Sequence, residues 1–207
     1  SHASIYDGCR LSGATLIRFR HNSPTDLDKR LARLKDDGSS KLIIVEGIYS
    51  MLGDQAPLDE FVDVKRRHGV ELLVDEAHSL GVFGDNGRGI AEAYGVEDVD
   101  YVVGTFSKSL GAVGGFGASS NPEFEQLRFT SRPYMFTASS SPSSVATAKA
   151  TLNKIRTQPQ LRRQLWDNAR ALYSGLKDLG FTICAETSPT FATPLSLYRT
   201  PLGRVLP

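Results

Sequence analysis

Tyr101-Val102-Val103-Gly104-Thr105-Phe106-Ser107-Lys108-Ser109-Leu110-Gly111 changes character halfway along. Its first half is apolar and β-branched, the signature of a buried strand. Its second half is small and hydroxylated around a single lysine, which marks where the strand stops. Glycines follow at Gly111, Gly114, Gly115 and Gly117. A lysine in such surroundings has room for a ligand about its ammonium, although most lysines are solvated surface charges.

Two runs upstream share this grammar. Val70-Glu71-Leu72-Leu73-Val74-Asp75-Glu76-Ala77-His78-Ser79 ends in ionisable groups, with glycines at Gly81, Gly84, Gly87 and Gly89 beyond. Lys41-Leu42-Ile43-Ile44-Val45-Glu46-Gly47-Ile48-Tyr49-Ser50 brings Glu46 and Ser50 to the same place. Three strands separated by helical sequence predict an α/β fold with a mostly parallel sheet flanked by helices. In such sheets ligands bind beyond the carboxyl ends of the strands, so Asp75 and Lys108 converge on one crevice. They form either a structural ion pair or the two ends of a pyridoxal phosphate site. That cofactor needs an amine for its Schiff base and a carboxylate to keep its ring nitrogen protonated.

Asp75-Glu76-Ala77-His78-Ser79-Leu80-Gly81 with Gly84 and Gly87-Arg88-Gly89, then Gly104 to Gly111 and Gly114-Gly115, resembles the α-oxoamine synthases. These are fold-type I pyridoxal phosphate enzymes that condense an amino acid with an acyl-CoA and release carbon dioxide. The resemblance runs from Ser1 to about Pro189. Within the family, Thr105 to Ser109 and Arg132-Pro133-Tyr134-Met135-Phe136-Thr137-Ala138-Ser139 most resemble the serine palmitoyltransferase branch. The resemblance implies that Lys108 carries the cofactor and moves the substrate's α-proton, while Asp75 pairs with the ring nitrogen. His78 and Ser50 would sit at the ring oxygen, and His2, from the His-Ala-Ser opening, would stack on the ring. Thr105, Ser107 and, from a neighbouring subunit, Thr137 would hold the phosphate. It also implies a homodimer acting on L-serine and a long-chain acyl-CoA. Synthases of the 8-amino-7-oxononanoate or glycine C-acetyltransferase kind are the nearest alternatives. An aminotransferase or lyase of the same fold type, and a silent partner subunit or fragment, are more distant ones. Two residues depart from the family pattern: Ser23 stands where Asp is common, and Ser141 where Pro is usual.

Bulk properties narrow the remaining classes. The 207 residues are 40% apolar, and 24 basic against 23 acidic residues leave a net charge of +1. Nothing there suggests a nucleic-acid surface. Cys9 and Cys184 are too few and too far apart for a metal site or a disulfide framework, and read as reduced thiols. No apolar run suits a membrane helix. A cytoplasmic setting follows, with peripheral contact to the inner membrane as an alternative. The opening lacks an initiator Met, and family members are about twice this length, so a fragment of a longer protein is expected. Residues 1–157 are assigned to a cofactor-binding large domain lacking its N-terminal segment. Residues 158–207 are assigned to a connecting helix and the start of a truncated small domain.

In chain order, a loop and turn through Gly8 is expected, then a short strand over Thr15–Arg20. A helix capped by Ser23 or Thr25 follows, with a Leu27, Leu31, Leu34 stripe, ending at Gly38. Pro57 opens a helix closed by Gly69, with His68 structural in its last turn. Gly114–Ser120 reads as a strand whose glycines admit the cofactor, and Pro122–Arg128 as a short helix. Helices over Pro142–Thr157 and Gln158–Leu179 come next. In the second, Leu161, Leu165, Ala169, Leu172, Leu176 and Leu179 make an apolar stripe, with Trp166 and Tyr173 beside it. Phe181–Cys184 should begin a strand, and Arg199 is a weak candidate for the carboxylate-binding arginine.

Overall fold

The computed structural model describes residues 1–183 and 188–189. Its frame is a four-stranded sheet in the order β1-β2-β3-β4, with β1 at Leu42–Glu46, β2 at Glu71–Asp75, β3 at Tyr101–Thr105 and β4 at Gly115–Ala118. The first three strands are parallel and β4 is antiparallel to β3. Helix α3 (Leu58–His68) makes the first crossover. The connection from β2 to β3 carries the short α4 (Ile90–Ala93). Parallel neighbours need such crossovers, whereas the antiparallel β3 and β4 are joined directly by the loop of residues 106–114.

The core lies between the sheet and α3. Ile43, Val45, Leu72 and Val74 from the strands meet Leu58, Phe61, Val62 and Val64, all buried. Leu27, from α2 (Pro24–Leu31), joins them. Helix α3 starts after Pro57 and closes on Gly69 at φ 60°, a left-handed cap that glycine adopts at little cost. His68 and Arg67 both bond Asp28, at 2.8 and 3.1 Å, clipping α3 to α2, so His68 is structural as expected. Lys65 is buried and reaches Asp98 and Asp100, while Asp100 accepts the Leu72 N–H at 2.6 Å. That cluster ties α3 to the entrance of β3.

Several expectations need correction. The chain is helical from Ala3, not a loop through Gly8, because His2 caps α1 (Ala3–Leu11) with its ring nitrogen on the Ser4 N–H. Residues 15–20 form no strand. They find no ladder partner among the described residues, Leu16 and Ile17 stay more than 40% exposed, and Phe19 packs edge-on against Phe61. Helix α2 is capped by Ser23 but ends at Leu31, well before Gly38. Gly115–Ala118 form the expected strand, and its glycines also fit neighbouring protein: a Cβ on Gly115 would lie 2.8 Å from the Gly104 carbonyl oxygen, and one on Gly117 would lie 3.0 Å from the Phe124 ring.

The C-terminal helices, α7 (Pro142–Thr157) and α8 (Pro159–Asp178), match their expected spans, but α8 turns a different face inward. Trp166 donates its indole N–H to the Val82 carbonyl at 2.9 Å and packs edge-on against Phe83. Ala169 and Tyr173 are buried beside it, whereas Leu165, Leu172 and Leu179 are 38%, 44% and 76% exposed. The anchored Trp sets the helix phase, and Trp166-Ala169-Tyr173 is the inward stripe. Residues 181–183 form no strand; Cys184, Arg199 and most of the stretch expected to begin a small domain lie outside the described residues. No helix among the described residues is long and apolar enough to cross a membrane.

Candidate active site

The parallel register sets Glu46 beside Asp75 and Asp75 beside Val103, two residues before Thr105. The three carboxyl ends therefore form one ledge. On it, the Asp75 carboxylate accepts the Ala77 N–H at 2.9 Å, which fixes the backbone as it leaves β2. Lys108 follows β3 in an exposed turn closed by a bond from the Gly111 N–H to the Lys108 carbonyl. An open cleft of about 420 Å³ lies between this turn, residues Ala77 to Val82, and the facing sides of α7 and α8. His78 and Lys108 both line it.

His78 is half-buried, and its imidazole is held below the usual 6.5 by lost solvation first and by the Lys108 ammonium second. Asp75 acts in the opposite direction, and His2 adds a small like-charge push. The four residues therefore share one electrostatic neighbourhood. A folded value below the unfolded one favours the neutral ring: that stability is present above pH 6.5 and is lost as pH falls through the lowered value. In cofactor-free protein the His78 ring should titrate below 6.5 by NMR. Lys108→Met should raise that midpoint and Asp75→Asn should lower it; a midpoint indifferent to both would dissolve the cluster.

Thr105 and Ser107 make a second group. Their hydroxyls lie 2.8 Å apart, and the Ser107 N–H points at Thr105 Oγ1 from 3.2 Å. An N–H beside two hydroxyls is a donor set suited to an anion. Ser50 is half-buried in the turn after β1. Thr137 is exposed in the segment after α6 (Arg132–Met135). That segment runs past the ledge, with Ser140 Oγ 3.6 Å from where a Gly114 Cβ would stand.

Two carboxylates carry more of the site's architecture than the sequence conveys. Glu46 is buried, its carboxyl raised chiefly by burial, and it accepts the His2 N–H at 2.6 Å. That bond brings His2 to the ledge. Glu76 is 1% exposed, takes the Ser79 hydroxyl, and accepts the Ile90 and Ala91 N–H groups at 2.8 and 3.1 Å. It thereby folds the glycine-rich loop back on itself. In that loop Gly84, Gly87 and Gly89 all have positive φ, as the turn reading requires, and Arg88 is exposed. Neither glutamate announces burial in sequence, where acidic residues read as surface.

The arrangement is that of a fold-type I transferase ledge. Residues 1–195 match the aminotransferase class I and II family model, and the chain belongs to that family. Within it, the chain is 58% identical to the serine palmitoyltransferase of Sphingomonas paucimobilis, across 90% of this chain and 44% of that protein. Identity to the Caulobacter vibrioides serine palmitoyltransferase is 57%, across 94% and 48%. An 8-amino-7-oxononanoate synthase from Anaeromyxobacter is 42% identical, across 94% and 49%. The fold superposes on S. paucimobilis serine palmitoyltransferase with a bound PLP–myriocin aldimine at a TM-score of 0.90, with 55% identity, covering 94% of this chain and 51% of that one. The chain thus spans about half the length of the relatives it matches.

Proposed function

We propose that the ledge binds pyridoxal phosphate, and that the whole protein condenses L-serine with a long-chain acyl-CoA, releasing carbon dioxide and CoA. The observation that carries this reading is that adjacent parallel strand ends bring Asp75 and the Lys108 turn to one edge, where His78 and Lys108 line the same cleft. Identity of 57–58% to serine palmitoyltransferases supports the substrate pair. The donors present suit the cofactor: an accessible amine, a fixed carboxylate, and the Thr105–Ser107 group for a phosphate. Bound there, pyridoxal phosphate would supply an electron sink for the substrate's α-carbon.

The chain's own residues then divide the work. Lys108 would hold the cofactor and move a proton at the substrate's α-carbon. Asp75 would keep the ring nitrogen protonated. His78, whose burial and Lys108 neighbour favour the neutral ring, would serve the ring oxygen with Ser50. His2, tethered through Glu46, would cover the ring and exclude water. In this reading residues 1–157 are the cofactor-binding unit and 158–207 lead into a smaller one.

Thr137 serves the neighbouring subunit, and the working protein is a homodimer. Phe129, Tyr134 and Phe136 are 76%, 61% and 75% exposed beside it, a run of aromatic surface that a monomer rarely leaves to water. Light scattering should report a dimer for the wild type and a monomer for Phe136→Glu, with weaker cofactor retention; a dimeric variant would remove this support.

The activity test is release of CoA from palmitoyl-CoA with L-serine, glycine and L-alanine supplied separately. Serine-dependent release supports the proposal. The 42% identity to an 8-amino-7-oxononanoate synthase gives the competing result its form, activity with L-alanine and a shorter acyl-CoA.

A further inference from the structure

The turn after β1, which carries Ser50, is poorly packed at its tip: Met51 is 82% exposed and Leu52 41%. Its base is tightly closed. The Tyr49 N–H donates to the Asp54 carbonyl at 3.0 Å, the Gly53 N–H returns to the Tyr49 carbonyl at 2.7 Å, and Ile48 pairs with Gln55. Something outside the turn must therefore set where that closed unit sits.

His21 and Asn22, just before α2, reach across to it. His21 Nε2 lies 2.6 Å from Asp54 Oδ2, and its ring meets Tyr49 edge-on with centroids 4.4 Å apart. Asn22 donates its amide to the same Asp54 oxygen and to the Gln55 carbonyl, both at 2.8 Å. Asn22 does so at φ 46°, the one non-glycine residue with positive φ among the described residues. Asn22 Oδ1 and Asp54 Oδ1 are left buried without a hydrogen-bond partner. Strained backbone and unpaired buried oxygens gather where geometry serves function.

We infer that His21, Asn22 and Asp54 form a pin that fixes the height of the Ser50 turn over the ledge, which makes His21 a positioning residue for the Ser50 hydroxyl. The inference rests on the reading of Ser50 as a hydrogen-bond partner of the cofactor's ring oxygen. His21 touches Tyr49, the residue immediately before Ser50, and Asp54 closes the turn from its far end. One imidazole and one amide therefore hold both ends of the turn, and the Ser188 hydroxyl donates to the Gly53 carbonyl at 3.1 Å between them.

The test uses the intact protein loaded with pyridoxal phosphate, and the same protein without cofactor. Ser50→Ala should shift the bound cofactor's visible absorption band. His21→Phe keeps an aromatic ring against Tyr49 and loses the Asp54 bond; it should shift the band in the same direction, by at least about half as much. His21→Gln, which retains a donor, should restore it. The His21→Phe/Ser50→Ala double variant should shift no further than Ser50→Ala, since both remove one contact. In cofactor-free protein, His21→Phe should speed amide exchange over residues 51–55 by about tenfold while α3 stays protected. Asp54→Asn, which preserves shape, gives a second variant should His21→Phe fold poorly. If Ser50→Ala moves the band and neither His21→Phe nor Asp54→Asn does, the pin is overturned. If Ser50→Ala leaves the band unmoved, the reading of Ser50 itself fails and the inference falls with it.

Discussion

Lys108→Ala should reduce serine-dependent CoA release by at least about 10³-fold, the scale of losing a positioned acid–base group. It should also abolish the absorption near about 420 nm that a lysine-linked pyridoxal phosphate displays. The size of the effect follows from the residue's two tasks, since one amine both attaches the cofactor and carries the proton. No other lysine lies in the stretch from β3 to β4, and the neighbouring hydroxyls of Thr105 and Ser107 cannot form a Schiff base. Lys108 is exposed in its turn, so its removal should leave the thermal midpoint almost unchanged. A variant that keeps both colour and turnover would remove the basis for the assigned chemistry.

The largest loss of stability should come from Glu76→Ala. Truncation strips three donors of their acceptor: the Ser79 hydroxyl and the Ile90 and Ala91 N–H groups. It also opens a space where Gly89, at φ 111°, and Gly47 pack so closely that a Cβ on either would come within 3.0 Å of the carboxylate. Unmet buried donors and the vacated volume together suggest a cost of about 3–5 kcal/mol. That is a large part of a domain's net stability, and amounts to a fall of roughly 10 °C in melting temperature for a chain of this size. Glu76→Gln should lose less, because its amide keeps one acceptor.

The pH dependence of that comparison has a definite sign. Burial is the largest influence on Glu76 and raises its carboxyl above 4.5. The wild type's advantage over Glu76→Gln is therefore fullest below 4.5 and shrinks as pH rises through the raised value. Chemical denaturation of the three proteins at two pH values measures both effects. A Glu76→Ala cost under about 1 kcal/mol would place the residue among ordinary surface substitutions.

The ledge was legible because its strands end abruptly. At Glu46, Asp75 and Thr105 an apolar run gives way to polar residues, and parallel pairing can only bring such ends together. Helix α7 was equally readable, since Ser141 caps it and Pro142 suits its first turn. What stayed hidden depends on packing. The leucine periodicity of α8 was real, but one indole hydrogen bond to Val82 chose a neighbouring face. The alternation over residues 15–20 satisfied a strand pattern that supplies no partner to pair with. The pairing of His21 and Asn22 with Asp54 was not legible, because Asp54 lies over thirty residues further on.

The most direct test of the central claim is chemical trapping. The protein is loaded with pyridoxal phosphate, reduced with borohydride, digested and analysed by mass spectrometry. The account predicts a single phosphopyridoxyl adduct on the peptide containing Lys108. An adduct confined to other lysines, or none at all, would contradict it.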